Sequence, residues 1–292
     1  MGSYYNDRML RALLLVSVFV SVFGCRLPDE APDDLSELLT FSFSHYDPDD
    51  WANDVSLADA AINLESWFSN DVETQDDFTF DLGFEARLTA LSQRLTDEDI
   101  AHLDPAPAVV DGQAAAGVLV ALETRCSIED VVDVYLSPNQ MDFFPDNYLE
   151  YDRTNLEGIE CFDEGSCIEA RWLTHVTQDQ SFPAATWQAS FWNATRRLQA
   201  TAPGGEEVRG LMTQVWMEQP ANIEPAGLGS LIQNYQLEFM IERPSGGSLH
   251  VYPQWVDFDL GDINTEAAVF LNAYIDGIRD YLRTLESHCS VE

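Results

Sequence analysis

From residue 148 onward, apolar residues fall at every second position in short runs, the period of a half-buried strand. Ile168, Ala170, Trp172, Thr174 and Val176 share one side of such a run, with Glu169, Arg171 and His175 on the other. Leu231, Tyr235, Leu237, Phe239 and Ile241 alternate in the same way with Asn234, Gln236, Glu238 and Glu242. The pattern predicts strands over about 148–160, 167–178, 185–200, 207–218, 230–243 and 248–260. Turn signals separate them: Gly165, Pro183, Pro203-Gly204-Gly205, Pro220 to Gly229, and Pro244 to Gly247. Links this short hold no crossover helix, so neighbouring strands are expected to be antiparallel. Beyond 260 the spacing lengthens to three and four. Ala267, Leu271, Tyr274, Ile278, Tyr281 and Leu285 form the apolar stripe of a helix over about 265–287, with Asn264 as its N-cap. That stripe needs a surface to bury on, and the preceding sheet supplies one.

Upstream, Val55, Leu57, Ala61, Leu64, Trp67 and Phe68 recur at helical spacing, and Leu88, Leu91 and Leu95 predict a second helix over about 84–95. Thr96 to Asp99 resembles a capping box, with Asp in place of the usual Glu. The breakers Asp104-Pro-Ala-Pro107 and Asp111-Gly112 predict a boundary at 104–113. Residues 114–124 are a short apolar run compatible with strand or helix, and Ser127 caps a helix that ends before Pro138.

Charge narrows the partners. The chain of 292 residues carries 51 acidic against 14 basic side chains, a formal net charge of −37, and every base is Arg. Such a field repels phosphate backbones, so no nucleic-acid partner is expected. It equally repels anionic headgroups, so membrane attachment needs another cause. The first residues provide one. Arg8 and Arg11 precede the uncharged apolar run Ala12 to Phe23, which has signal-peptide length and is short for a transmembrane helix. Val22-Phe23-Gly24-Cys25 then resembles a bacterial lipobox. It implies cleavage before Cys25, a diacylated and N-terminally acylated cysteine, and a lipid-anchored protein of the cell envelope facing the periplasm or the exterior. An uncleaved anchor or an ordinary secretory signal is the alternative. Export agrees with the other cysteines: Cys126, Cys161, Cys167 and Cys289 suggest two disulfides, for which three pairings exist. A small loop closed by Cys161 and Cys167 would leave Cys126 for Cys289.

The order of elements carries a resemblance to a known architecture. Ser127 to Tyr135, Ser137-Pro138-Asn139, Phe143-Phe144-Pro145 and the closing helix Glu266 to Glu286 resemble the helix-grip fold of START-like and polyketide-cyclase (SRPBCC) proteins. The resemblance implies an α+β fold with a curved antiparallel sheet of about six to seven strands and a long C-terminal helix. It also implies a cavity for a small hydrophobic or lipid-like molecule between them. The expected organisation is a lipoprotein signal at 1–25, an acidic tether at 26–50, a helical N-terminal region at 51–108 and the helix-grip domain at 114–288. Phe143 and Phe144 are placed at the cavity mouth. Trp172, Phe191, Trp216, Tyr235, Phe239, Trp255, Tyr274 and Ile278 are candidate walls, although ordinary core packing explains the same residues. No G-x-S-x-G, H-E-x-x-H, P-loop or G-x-G-x-x-G pattern occurs, so no catalytic residue, metal or cofactor is assigned. A binding protein is expected. The alternatives are a scaffold lipoprotein with a filled core, whose acidic N-terminal region meets a protein partner, and an enzyme of cyclase or hydrolase type.

Overall fold

A computed structural model describes residues 27–69, 86–181, 184–225, 228–244, 246–261 and 268–289. The basic residues, apolar run and lipobox of the leader, and the Asn264 cap, lie outside them. The elements run α1 (Leu35–Ser44), α2 (Trp51–Ser69), β1 (Ala86–Leu91), α3 (Asp97–Ala101), β2 (Ala116–Thr124), α4 (Ile128–Leu136), β3 (Glu150–Glu157), α5 (Ile159–Asp163), β4 (Glu169–Ser181), β5 (Ala184–Thr201), β6 (Glu207–Met217), β7 (Ala221–Glu224), β8 (Gly229–Glu242), β9 (Ser248–Asp259) and α6 (Ala268–His288). All strands join one antiparallel sheet in the order β1-β2-β9-β8-β6-β5-β4-β3, with β7 bridging β5 and β8. The fold is α+β, a nine-stranded antiparallel sheet gripped by a long C-terminal helix.

Both faces of the sheet are covered, and strand alternation decides what each face meets. One face packs under the N-terminal helices. There Trp216, Tyr235, Leu237, Phe239, Ile241, Leu249, Val251 and Trp255 join Leu38, Leu39, Phe43, Leu57 and Leu64 in one buried cluster. Phe43 meets Tyr235 and Trp255 edge-on, the favoured geometry for ring quadrupoles. The other face meets α4 and α6. Val118, Val120, Leu122 and Tyr252 pack against Ile275, Ile278 and Leu282, while Leu211, Met240 and Trp172 pack with Val131, Tyr135, Phe144 and Leu285.

The N-terminal half differs from the expectation in two places. Residues 84–95 were expected to be helical, but β1 occupies 86–91 and pairs with β2 from Ala86↔Leu122 to Leu91↔Gly117. The helical spacing of Leu88, Leu91 and Leu95 is accidental, because Leu95 lies beyond the strand in the approach to α3. Residues 26–50 were expected to form a mobile tether, yet α1 lies within them. Leu35, Leu38, Leu39 and Phe43 follow helical spacing, and Asp34 caps the helix by accepting the Glu37 N–H at 3.0 Å. The preceding segment is held too: the Asp29 N–H donates to Ser56 Oγ at 2.9 Å and the Ala31 N–H to Asp59 Oδ2 at 2.9 Å.

The breakers at 104–113 lie on the sheet. Trp216 Nε1 donates to the Pro105 carbonyl at 2.9 Å, and the Tyr235 hydroxyl to the Val109 carbonyl at 3.2 Å. The N-terminal helices and the sheet therefore share one core. Both disulfides are formed, Cys126–Cys289 and Cys161–Cys167. The first pins the end of α6 to the residue before Ser127. Ser127 in turn caps α4 in a full capping box with Asp130.

Candidate functional site

Between α6 and the sheet lies a cavity of about 640 Å³. Alternate residues of five strands form its floor and one wall: Trp172, Thr174, Val176 and Gln178 on β4; Trp187, Phe191 and Asn193 on β5; Thr213 and Val215 on β6; Asn234, Gln236 and Glu238 on β8; Tyr252 and Gln254 on β9. Tyr135, the 146–148 loop, Tyr151 and one side of α6, from Asp276 to Thr284, complete it.

The walls are aromatic and the floor is polar. The amide floor satisfies itself across β8 and β9, where Gln236 stands opposite Gln254. Asn234 Oδ1 accepts from Gln254 Nε2 at 3.0 Å and from Gln236 Nε2 at 3.3 Å. The Tyr252 hydroxyl donates to Gln236 Oε1 at 2.7 Å. Paired in this way, the amides tolerate burial beside an apolar wall. At the end near α4, Glu238 is 6% exposed. Its Oε2 accepts from the Tyr135 hydroxyl and lies 3.2 Å from His250 Nε2, and the Tyr281 hydroxyl donates to that of Tyr135 at 3.4 Å. Arg153 braces this corner. Its Nη1 donates to the carbonyls of Tyr135 at 2.6 Å and Ser137 at 3.0 Å, with its guanidinium 4.2 Å above the Trp172 ring.

The candidate walls divide between the two faces of the sheet. Trp172, Phe191 and Ile278 line the cavity. Trp216, Tyr235, Phe239 and Trp255 are on the opposite face, in the core beneath α1 and α2. The reason is strand parity: odd residues of β8 and even residues of β6 point away from α6. Phe143 and Phe144 are not in the lining either. Phe144 is buried and stacks on Tyr281 with centroids 4.7 Å apart, and Phe143 meets His288 edge-on at 5.0 Å. The paired aromatics between breakers thus clamp the last turns of α6 from behind. The Tyr274 side chain lies outside the described residues. His175 hydrogen-bonds Ser190 Oγ at 2.7 Å, away from the cavity. Sequence reasoning missed Glu238, His250 and the amide floor. The available signal was the polar row Asn234, Gln236, Glu238 on a strand that both β6 and β9 flank.

Burial raises the pKa of Tyr135, Tyr148 and Tyr281, with the negative charge of Glu238 adding to each. Burial also lifts Tyr46 and Tyr235, and it pushes Tyr151 up to about 12 against the opposing Arg153. A phenol with a raised folded pKa keeps its proton in the native state when the unfolded chain has released it. Its stabilising contribution is complete below the ordinary value of about 10 and is lost as pH climbs through the folded value. Absorbance titration near 295 nm is expected to show these six of the ten tyrosines still protonated in native protein as pH passes about 10. In denaturant all of them should titrate together. Six ordinary phenols in native protein would refute the burial account.

No family model matches the chain, and no curated protein does. Solved structures do. Human STARD10 shares 9% identity over 79% of this chain and 78% of its own, with a TM-score of 0.42. A STAR-related lipid transfer protein from Xanthomonas axonopodis shares 11% identity over 74% of this chain and 97% of its own, with a TM-score of 0.39. Human StAR-related lipid transfer protein 5 shares 10% identity over 81% and 96%, with a TM-score of 0.39. The chemistry of the cavity follows from this chain's own side chains.

Proposed function

We propose that this protein binds one small amphipathic molecule in the cavity between α6 and the sheet, while acylated Cys25 holds it at the membrane of a bacterial envelope. The observation that supports binding is the cavity itself. A half-open space of about 640 Å³ between α6 and the sheet leaves its lining without the contacts that larger side chains would make. Its size is in the range of small-molecule sites, and aromatic walls beside a few placed polar groups are their usual lining. The self-paired amide floor presents a preorganised polar surface to the ligand instead of collapsing onto it.

Acylation at Cys25 would also fix where the cavity works. The Asp29 N–H is bonded to Ser56, and four Cα steps from Cys25 reach at most about 14 Å. The folded body would sit directly on the bilayer with almost no tether. Native mass spectrometry of the full chain, released from membranes by mild detergent, is expected to show one non-covalent small-molecule adduct. An adduct-free spectrum, together with tryptophan emission unchanged by a panel of amphipathic probes, overturns the binding reading. For the anchor, cells fed a palmitate analogue are expected to label the protein, and Cys25→Ser to abolish the label; an unlabelled unaltered protein overturns that part.

A further inference from the structure

We propose that the ligand is an organic cation, a protonated amine on an apolar or aromatic body, and that Glu238 receives its ammonium group. This deepens the binding reading above and rests on it. Glu238 is buried on a central strand, yet it faces the cavity. Both of its protein partners, the Tyr135 hydroxyl and His250 Nε2, engage Oε2. Oε1 has no protein donor among the described residues. That oxygen opens onto the cavity, where a donor carried by the ligand can reach it.

The charges around the cavity point the same way. Asp276 and Asp280 on the helical wall each lie within ion-pair distance of an arginine, Arg279 at 2.7 Å and Arg283 at 3.8 Å, although Asp276 Oδ1 is buried without a hydrogen bond. Glu238 is paired with His250, a cation only when protonated, and has no arginine partner among the described residues; the chain contains no lysine. Its charge is felt by the phenols of Tyr135, Tyr148 and Tyr281. The rings of Tyr148, Trp172, Tyr252 and Tyr281 line the same space, and aromatic faces attract cations. The formal charge of −37 draws cations toward the protein and disfavours anions. A fatty-acid carboxylate would meet Glu238 with like charge, whereas an ammonium supplies the donor that Oε1 lacks.

Calorimetry on the full chain with phenylbutylamine, phenylbutanol and phenylbutyrate at neutral pH separates the possibilities. The amine is expected to bind at least about tenfold more tightly than the alcohol, the scale of one charge-assisted hydrogen bond. The carboxylate should bind most weakly. Glu238→Gln should bring the amine down to the level of the alcohol and leave the alcohol within about twofold, since the apolar contacts remain. If that variant fails to fold, the three ligands on the unaltered chain decide. Equal affinity for amine and alcohol, or a preference for the carboxylate, overturns the cation proposal and leaves the cavity reading standing. Binding of none of the three overturns both.

Discussion

Replacing Cys126 and Cys289 together with Ala is expected to lower the unfolding free energy by about 4–5 kcal/mol. The bond closes a loop of 163 residues. Cross-linking positions so far apart removes much of the freedom of the unfolded chain, and this contribution grows with the logarithm of loop length. The second disulfide spans only 6 residues, so Cys161→Ala with Cys167→Ala should cost about 2 kcal/mol. Chemical denaturation of the two paired variants checks both the magnitude and the order. Equal losses would mean that local strain, and not loop closure, governs the effect. The long-range bond also has a local task. It fastens the end of α6 beside Ser127, where Tyr281 and Leu285 pack on Phe144 and α4. Its loss should loosen the wall that carries Tyr281 and so weaken binding in the cavity.

Asp54→Ala is expected to destabilise the fold by about 3 kcal/mol, and Arg196→Met by clearly less. Arg196 is 1% exposed on the sheet face beneath the N-terminal helices. Its Nη2 pairs with Asp54 and its Nη1 donates to the Tyr46 carbonyl at 2.9 Å, while Nε has no partner. Removing the aspartate leaves a guanidinium away from water with the Tyr46 carbonyl as its one hydrogen-bond acceptor among the described residues. Removing the guanidinium leaves a partly exposed carboxylate that water can solvate, and Met fills most of the space. Adding Arg196→Met to Asp54→Ala should therefore recover stability, a coupling that a double-mutant cycle by urea denaturation would measure. If the double variant simply sums the two losses, the pair is not the link between the N-terminal helices and the sheet.

The same geometry explains what could be read from the chain. Strands β3 to β6, β8 and β9 were legible because their alternation is clean and glycines or prolines punctuate them. The stripe on α6 was legible because only a helix aligns Ile278, Tyr281 and Leu285. The faces were not legible. Alternation in β8 shows that two sides differ, and a polar side normally means water. Here the apolar row, Tyr235 to Ile241, was needed under Phe43 and Leu64, and the polar row, Asn234 to Glu238, became the cavity floor. The clue was in α1 and α2. Leu38, Leu39, Phe43, Leu57 and Leu64 are apolar enough to require a sheet face of their own, which leaves α6 the other one. Reading 26–50 as a tether by its acidic ends hid that requirement, and β1 was concealed by leucines that happened to fall at helical intervals.

The strand order has a kinetic consequence. β2, near residue 120, is zipped along its whole length to β9, near residue 252, and α1 and α2 rest on strands that emerge much later. Contacts of such long sequence separation place the chain among slow folders, because distant segments must meet before either gains much. A ribosome would release most of this polypeptide before its core could assemble. The nascent chain would stay extended until those strands emerge, and its acidic charge would keep it soluble in the meantime.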